Sequence, residues 1–215
     1  MTMDTVAVDG VSMVVGVCNS GKSHLIRYNL YMHFIVQKTF DFVIVYTNSP
    51  QDYPFINSKY IHAGYNDEDL KKVLRFMRDL KAQGIEKKLL IVFDDVLGMV
   101  SFNSKIMTIL NTQFRKFNIS IIYSVQFLYK HIPLIIREQA YKAAFFKQTS
   151  EQASRAIWET YGQRYGRFRD FQQFVDKNTD DHQFIAVDNR AASSKRNHYH
   201  ILKTPPHIPE FYIDY

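Results

Sequence analysis

Gly16, Gly21, Lys22 and Ser23 stand at fixed intervals in the segment VVGVCNSGKSHL, residues 14–25. Residues without a Cβ let a loop turn tightly and bring its N–H groups close to an anion. A lysine adds a point charge, and a serine hydroxyl is a ligand for a hard cation. The spacing G-x-x-x-x-G-K-S is that of a phosphate-binding loop, the Walker A pattern, so the predicted nucleotide contacts are Gly16, Val17, Cys18, Asn19, Ser20, Gly21, Lys22, Ser23 and His24. In that pattern Lys22 reaches the β and γ phosphates and Ser23 coordinates Mg2+. The competing reading, a glycine turn with an ordinary surface lysine, leaves the full spacing unexplained.

A phosphate loop needs a second contributor to the metal, and KKLLIVFDDV supplies one: an apolar run that ends in Asp94 and Asp95. At a strand end the first acid is the predicted metal ligand, as in a Walker B motif. The second, Asp95, is a candidate general base that polarises an attacking water; its alternative role is to cap a following helix. A further run, NISIIYSVQ, ends in Gln126, where a polar side chain at a strand's carboxyl end could touch a γ-phosphate.

These residues must be held by strands and helices, and the chain alternates the two. VSMVVGV, FDFVIVYT, KKLLIVF and NISIIYSV are β-branched apolar runs, separated by KSHLIRYNLYMHFIVQ, DEDLKKVLRFMRDLKAQG and SFNSKIMTILNTQFRKF. Such alternation predicts an α/β fold, a mainly parallel sheet with helices on both faces. The clearest helix is residues 67–84: acids in its first turn, Leu70, Val73, Leu74, Met77 and Leu80 on one face, and a terminal glycine. After residue 149 the pattern changes to broken helices, then to two strands around a basic loop, a C-terminal hairpin extension. The ending TPPHIPEFYIDY, with three of the six prolines, reads as an extended tail. One domain of 215 residues is expected: a core over about residues 11–147, an extension over about 148–203 and a tail over 204–215.

Composition narrows the class further. No apolar run approaches the ~18 residues that span a bilayer, so no membrane partner is expected. The first ten residues do not read as a secretory signal, and the single cysteine, Cys18, fits a reducing compartment. Cys18 could act as a redox switch, but it occupies a variable position of the loop. The net charge of +6 is compatible with a nucleic-acid partner.

In the order GVCNSGKS, LLIVFDD, FRKFNISIIYSVQ and HIPLIIREQA, the chain resembles the FtsK/HerA superfamily of P-loop ATPases, specifically the genome-packaging branch of poxviruses and other large double-stranded DNA viruses. Arg115, Gln126, Pro133 and Arg137 carry the narrower resemblance, which covers roughly residues 11 to 147. It implies an ATP- and Mg2+-dependent double-stranded DNA translocase, working as a homo-oligomeric ring, a pentamer or hexamer, at a viral capsid vertex. It also implies an extra strand between those of the two Walker motifs, and an arginine finger, best assigned to Arg115 with Arg137 and Arg155 as rivals. Localisation would be the assembly site inside the infected host cell, with virion association as a further expectation. Superfamily members often carry glutamate where this chain has Asp95.

A DNA motor needs sequence-blind phosphate contacts. GQRYGRFR offers Arg164, Arg167 and Arg169, and SSKRNHYH offers Lys195 and Arg196; a solvated turn is the plainer reading of each. Three other functions remain open, one of them a P-loop DNA-translocating ATPase not involved in packaging. A small nucleotide or nucleoside kinase fits the length but not the paired acids, and a GTPase-like switch lacks an N-K-x-D run to read guanine.

Overall fold

A computed structural model describes residues 10–96, 98–128, 132–188 and 199–215, apart from the side chains of Ile135 and Tyr141. Eight strands form one sheet: β1 (Val11–Val15), β2 (Phe42–Thr47), β3 (Ile61–Ala63), β4 (Leu89–Asp94), β5 (Ile119–Val125), β6 (Ala140–Phe145), β7 (Gln183–Asp188) and β8 (Tyr199–Lys203). Their order is β3-β2-β4-β5-β1-β6-β7-β8. Pairing is parallel from β3 through β6, and β7 and β8 add an antiparallel hairpin at one edge. The α/β expectation and the hairpin extension are therefore both met. β5 lies between β1 and β4, so a strand separates the phosphate loop from the paired acids, as the family resemblance implies.

The strands are apolar on both sides because both faces are covered. Along β4, Leu89, Ile91 and Phe93 enter one core and Leu90 and Val92 the other. The first core lies under the helices α2 (Asp67–Ala82) and α3 (Lys105–Gln113), with Leu70, Leu74, Met77, Met107 and Leu110 buried. The predicted apolar stripe of α2 is the one buried, and its start is fixed by Asn66, whose side chain accepts from the Glu68 N–H. The second core lies under α1 (Lys22–Leu30), which continues as a π-helical segment, Tyr31–Val36. Much of this face is covered by irregular chain: Tyr53, Phe55, Ile56 and Ile213 are all buried there.

A row of rings fixes the register next to the acids. His62 of β3, Tyr46 of β2, Phe93 of β4 and Tyr123 of β5 are partners across successive strands. Their centroids are 5.0, 5.2 and 5.1 Å apart, with interplanar angles of 22°, 11° and 18°. A one-residue slip would turn every ring to the opposite face, so the row sets Thr47, Asp94 and Ser124 side by side one step further on.

Helices α4 (Leu134–Gln139), α5 (Glu151–Ile157) and α6 (Phe168–Asn178) follow β5. A π-helical turn, Trp158–Gly162, follows α5, which accounts for the broken-helix pattern of that stretch. The tail, residues 204–215, is not loose. It crosses the α1 face, where Ile213 bridges to Ile56 and Phe211 packs on Phe55 at 4.9 Å. Strand β3 went unforeseen, because three residues, IHA, hold too little apolar periodicity to be read.

Phe93 sits at the centre of the ring row and is fully buried. Phe93→Ala is expected to cost about 3–5 kcal/mol of unfolding free energy, measured by chemical denaturation.

Candidate nucleotide site

The segments that follow the carboxyl ends of β1, β2 and β4 meet at a cleft of about 670 Å³, as expected for ligands of parallel α/β sheets. Cys18, Asn19, Gly21, Lys22, Ser23 and His24 line one side. The turn from β1 into α1 needs its glycines for different reasons. A Cβ on Gly16 would lie 2.5 Å from Ser20 Oγ and 2.9 Å from Phe146 Cβ, whereas Gly21 is held at φ 109°, a left-handed conformation. Gly21 is the N-cap of α1 and has no side chain to cap it, so the first-turn N–H groups of Lys22, Ser23 and His24 lack an intrahelical or side-chain acceptor. Such an end stabilises an anion. Lys22 is only 5% exposed, and its Nζ donates to the Val17 carbonyl at 3.1 Å, a contact within the loop that a phosphate can replace.

Across β5, Asp94 is also 5% exposed. Burial is the main influence on its carboxyl and raises its pKa. The Ser124 and Tyr53 hydroxyls and the Lys22 ammonium act the other way, while neighbouring Asp95 adds to the rise. Tyr53 donates to Asp94 Oδ2 at 2.8 Å. The other oxygen, Oδ1, and the neighbouring Ser124 Oγ are both buried, and neither makes a hydrogen bond of good geometry; the serine hydroxyl acts on the carboxyl as a nearby dipole. An orphaned, buried carboxylate oxygen is costly unless something binds it, and a divalent cation or its hydration water suits it. The donor set of Ser23 and Asp94 thus fits Mg2+, which commonly takes one or two protein ligands and completes its shell with phosphate and water.

Asp95 lies exposed at the cleft, in a left-handed conformation at φ 54°. It is not a helix cap: the next described helix, α3, is capped by Ser104, whose hydroxyl accepts from the Met107 N–H. The Asp95 backbone is held by its own N–H to the Ser124 carbonyl at 3.3 Å and by Asn48 Nδ2 to its carbonyl at 3.0 Å. Gln126 directly follows β5 and is half-buried; it is not among the residues lining the cleft.

The other wall comes from the far end of the chain. Asp181, His182, Lys203, Thr204 and Pro206 line the cleft. His182 Nδ1 lies 3.2 Å from the Ser20 carbonyl, and His24 Nε2 lies 2.7 Å from that of Pro205. His24 therefore holds the tail as well as belonging to the loop motif. No motif marks this wall; a polar turn before β7 and a proline pair after β8 were its only signals.

The three arginines considered for a finger differ in setting. Arg137 Nη1 donates to Thr160 Oγ1 at 3.1 Å, and Arg155 pairs with Glu151 at 3.0 Å while lying 4.2 Å over the Phe168 ring. Arg115 is exposed in the turn before β5, its guanidinium 5.5 Å over the Phe114 ring. The seven residues of β5 separate it from the cleft by about 23 Å of strand, beyond the reach of its side chain. Arg164 and Arg167 are exposed on the turn into α6 and Arg169 in its first turn, where Arg167 pairs with Asp170 at 3.1 Å. Tyr165 packs this turn against Tyr199 at 5.6 Å, at the opposite end of β8 from the cleft-lining Lys203. Lys195 and Arg196 lie outside the described residues.

The fold and the cleft define a P-loop NTPase. Residues 7–154 match the family model described as poxvirus A32 protein, and the chain belongs to that family. No curated protein sequence matches. Among solved structures, the chain is similar to the genome packaging NTPase B204 from Sulfolobus turreted icosahedral virus 2 in complex with AMPPCP, with TM-score 0.67 and 16% identity, covering 92% of this chain and 98% of that one. It is also similar to the pCW3 conjugation coupling protein TcpA with ATPgS, with TM-score 0.64 and 13% identity over 96% of this chain and 61% of that one. Among the described residues no helix is long and apolar enough to cross a membrane.

A carboxyl with a raised folded-state pKa binds its proton more readily folded than unfolded. The charge on Asp94 thus weighs against the fold near neutral pH, and that penalty is lifted as pH falls through the folded-state pKa. Asp94→Asn is expected to raise the melting temperature of the nucleotide-free protein by a few degrees near neutral pH, a gain that shrinks on acidification. The same variant should lose roughly tenfold or more in Mg2+-supported nucleotide affinity, read by fluorescence titration.

Proposed function

We propose that the chain is an ATP-hydrolysing, Mg2+-dependent motor that translocates double-stranded viral DNA into a preformed capsid. The observation that carries this reading is the Lys22 loop and Asp95 at one cleft, with the buried Asp94 next to Asp95 and near enough to feel the Lys22 charge, in a chain of the poxvirus A32 protein family. The similarity to a genome packaging NTPase supports it.

Hydrolysis transfers the γ-phosphoryl group of ATP to water: a new P–O bond forms, the bond to the ADP oxygen breaks, and a proton is released. When bound, Mg2+ would offset the charge that grows on the phosphate oxygens. Ser23 and Asp94 Oδ1 would hold it. The first-turn amides of α1 and Lys22 stabilise the β and γ oxygens, with Lys22 exchanging its Val17 carbonyl for phosphate. Asp95, exposed beside the buried acid, orients the attacking water and takes its proton. Gln126, at the end of the strand between the two motifs, reports the state of the γ-phosphate.

Arg115 lies too far from its own cleft to act there, which supports a role in trans, in the site of the next subunit of a homo-oligomeric ring. Arg164, Arg167 and Arg169 provide candidate phosphate contacts for DNA, with Lys195 and Arg196 from the sequence between β7 and β8. Ring size, the capsid vertex as docking point and action inside the infected cell belong to the same proposal. A nucleoside kinase needs an acceptor beside the γ-phosphate, whereas the paired acids suit a metal ligand and a water-activating base.

Lys22→Ala is expected to abolish ATP turnover. Arg115→Ala should lower hydrolysis about 10³-fold at protein concentrations where the wild type assembles, while leaving nucleotide affinity within about twofold. ATP turnover measured with and without duplex DNA, across protein concentration, tests the motor reading. Turnover independent of both, or phosphate transfer to a nucleoside, would overturn it.

A further inference from the structure

Asp94 presents two unlike oxygens, and one side chain makes them so. A carboxylate rotates over a broad, roughly two-fold torsion, so an unanchored aspartate offers either oxygen, at a spread of angles. Here Oδ2 accepts from Tyr53 at 2.8 Å, and Oδ1 is left buried without a hydrogen bond of good geometry. Tyr53 itself has no freedom to follow. It is 2% exposed, closes the turn Pro50–Asp52 through its N–H to the Pro50 carbonyl, and accepts from the Ile56 N–H on its own carbonyl at 3.1 Å.

The segment just beyond Tyr53 is gripped by the tail. Ile213 donates its N–H to the Phe55 carbonyl at 2.8 Å and accepts from the Asn57 N–H at 3.0 Å. Phe211 packs on Phe55 at 4.9 Å, and the Arg27 guanidinium lies 5.2 and 5.9 Å from these two rings. Arg27 is on α1, the helix that begins in the phosphate loop.

We propose that Tyr53 is a positioning residue for metal binding: its hydroxyl fixes the Asp94 carboxylate so that Oδ1 faces the cation, and the tail around Ile213 holds Tyr53 in place. This rests on reading the cleft as a metal–nucleotide site. Partners behind a metal ligand commonly change metal affinity by 10- to 100-fold, through orientation rather than through contact with the metal.

The test is Mn2+ binding by electron paramagnetic resonance, in the presence of a non-hydrolysable ATP analogue. A second titration measures affinity for the same analogue in EDTA. Tyr53→Phe keeps the ring and removes the hydroxyl. It is expected to weaken Mn2+ binding about tenfold while leaving metal-free analogue affinity within about twofold. A merely structural tyrosine would weaken both alike, and that result overturns the inference. Asp94→Asn separates the layers. If it loses Mn2+ binding and Tyr53→Phe does not, the positioning role is wrong and the site stands; if neither changes Mn2+ binding, the metal site itself is wrong. Should Tyr53→Phe fail to fold by circular dichroism, Ile213→Ala, which loosens the clamp but keeps the tyrosine, is expected to weaken Mn2+ binding by about threefold. Unchanged binding in that variant also overturns the proposal.

Discussion

A carboxylate kept out of water with one oxygen unsatisfied is the constraint around which this fold is organised. Asp94 sits at the end of a strand buried on both faces, and its charge is tolerated because a phenol, a neighbouring serine hydroxyl and a lysine across β5 partly offset the loss of hydration. An arrangement of that kind requires sub-ångström control of strand register. The stacked row His62–Tyr46–Phe93–Tyr123 provides it with apolar area rather than polar bonds, one residue below the acid. Cross-strand aromatic pairs are worth a few tenths to about 1 kcal/mol each, so the row is a distributed lock.

Function divides along the strand direction. The carboxyl ends of the parallel strands carry the anion loop, the buried acid and the exposed acid. The amino end of β5 and the turn into α6 carry exposed arginines far from that cleft. The cleft and several exposed arginines thus lie at different ends of one sheet. In a ring, such a subunit can offer one end to its own nucleotide and another to a neighbour or a polyanion.

How much of this could be read from the chain depended on how local the signal was. Gly16, Gly21, Lys22 and Ser23 were legible because loop geometry permits few residues at each position, and Asp94 and Asp95 because a charged pair ends an apolar run. The α2 stripe was legible from its 3.6-residue period. Tyr53 was not: it is one of two aromatics in the loop segment SPQDYPFIN, and its role depends on an acid 41 residues away. The docking of the tail was equally hidden, since prolines specify extension but not the surface on which an extended segment lies. Lys203, Thr204 and Pro206 became part of the cleft only through that long-range contact.

Strand β2 is left partly uncovered, since β3 pairs with it only from Val45 to Thr47. The Tyr215 hydroxyl fills the gap, accepting from the Val43 N–H and donating to the Val43 carbonyl, while its ring stacks on Tyr60 and meets Phe42. One phenol thus does the work of a missing strand residue. An open strand margin invites other chains to add on. Closing it with a side chain leaves subunits free to crowd together without being stitched into fibrils along that border.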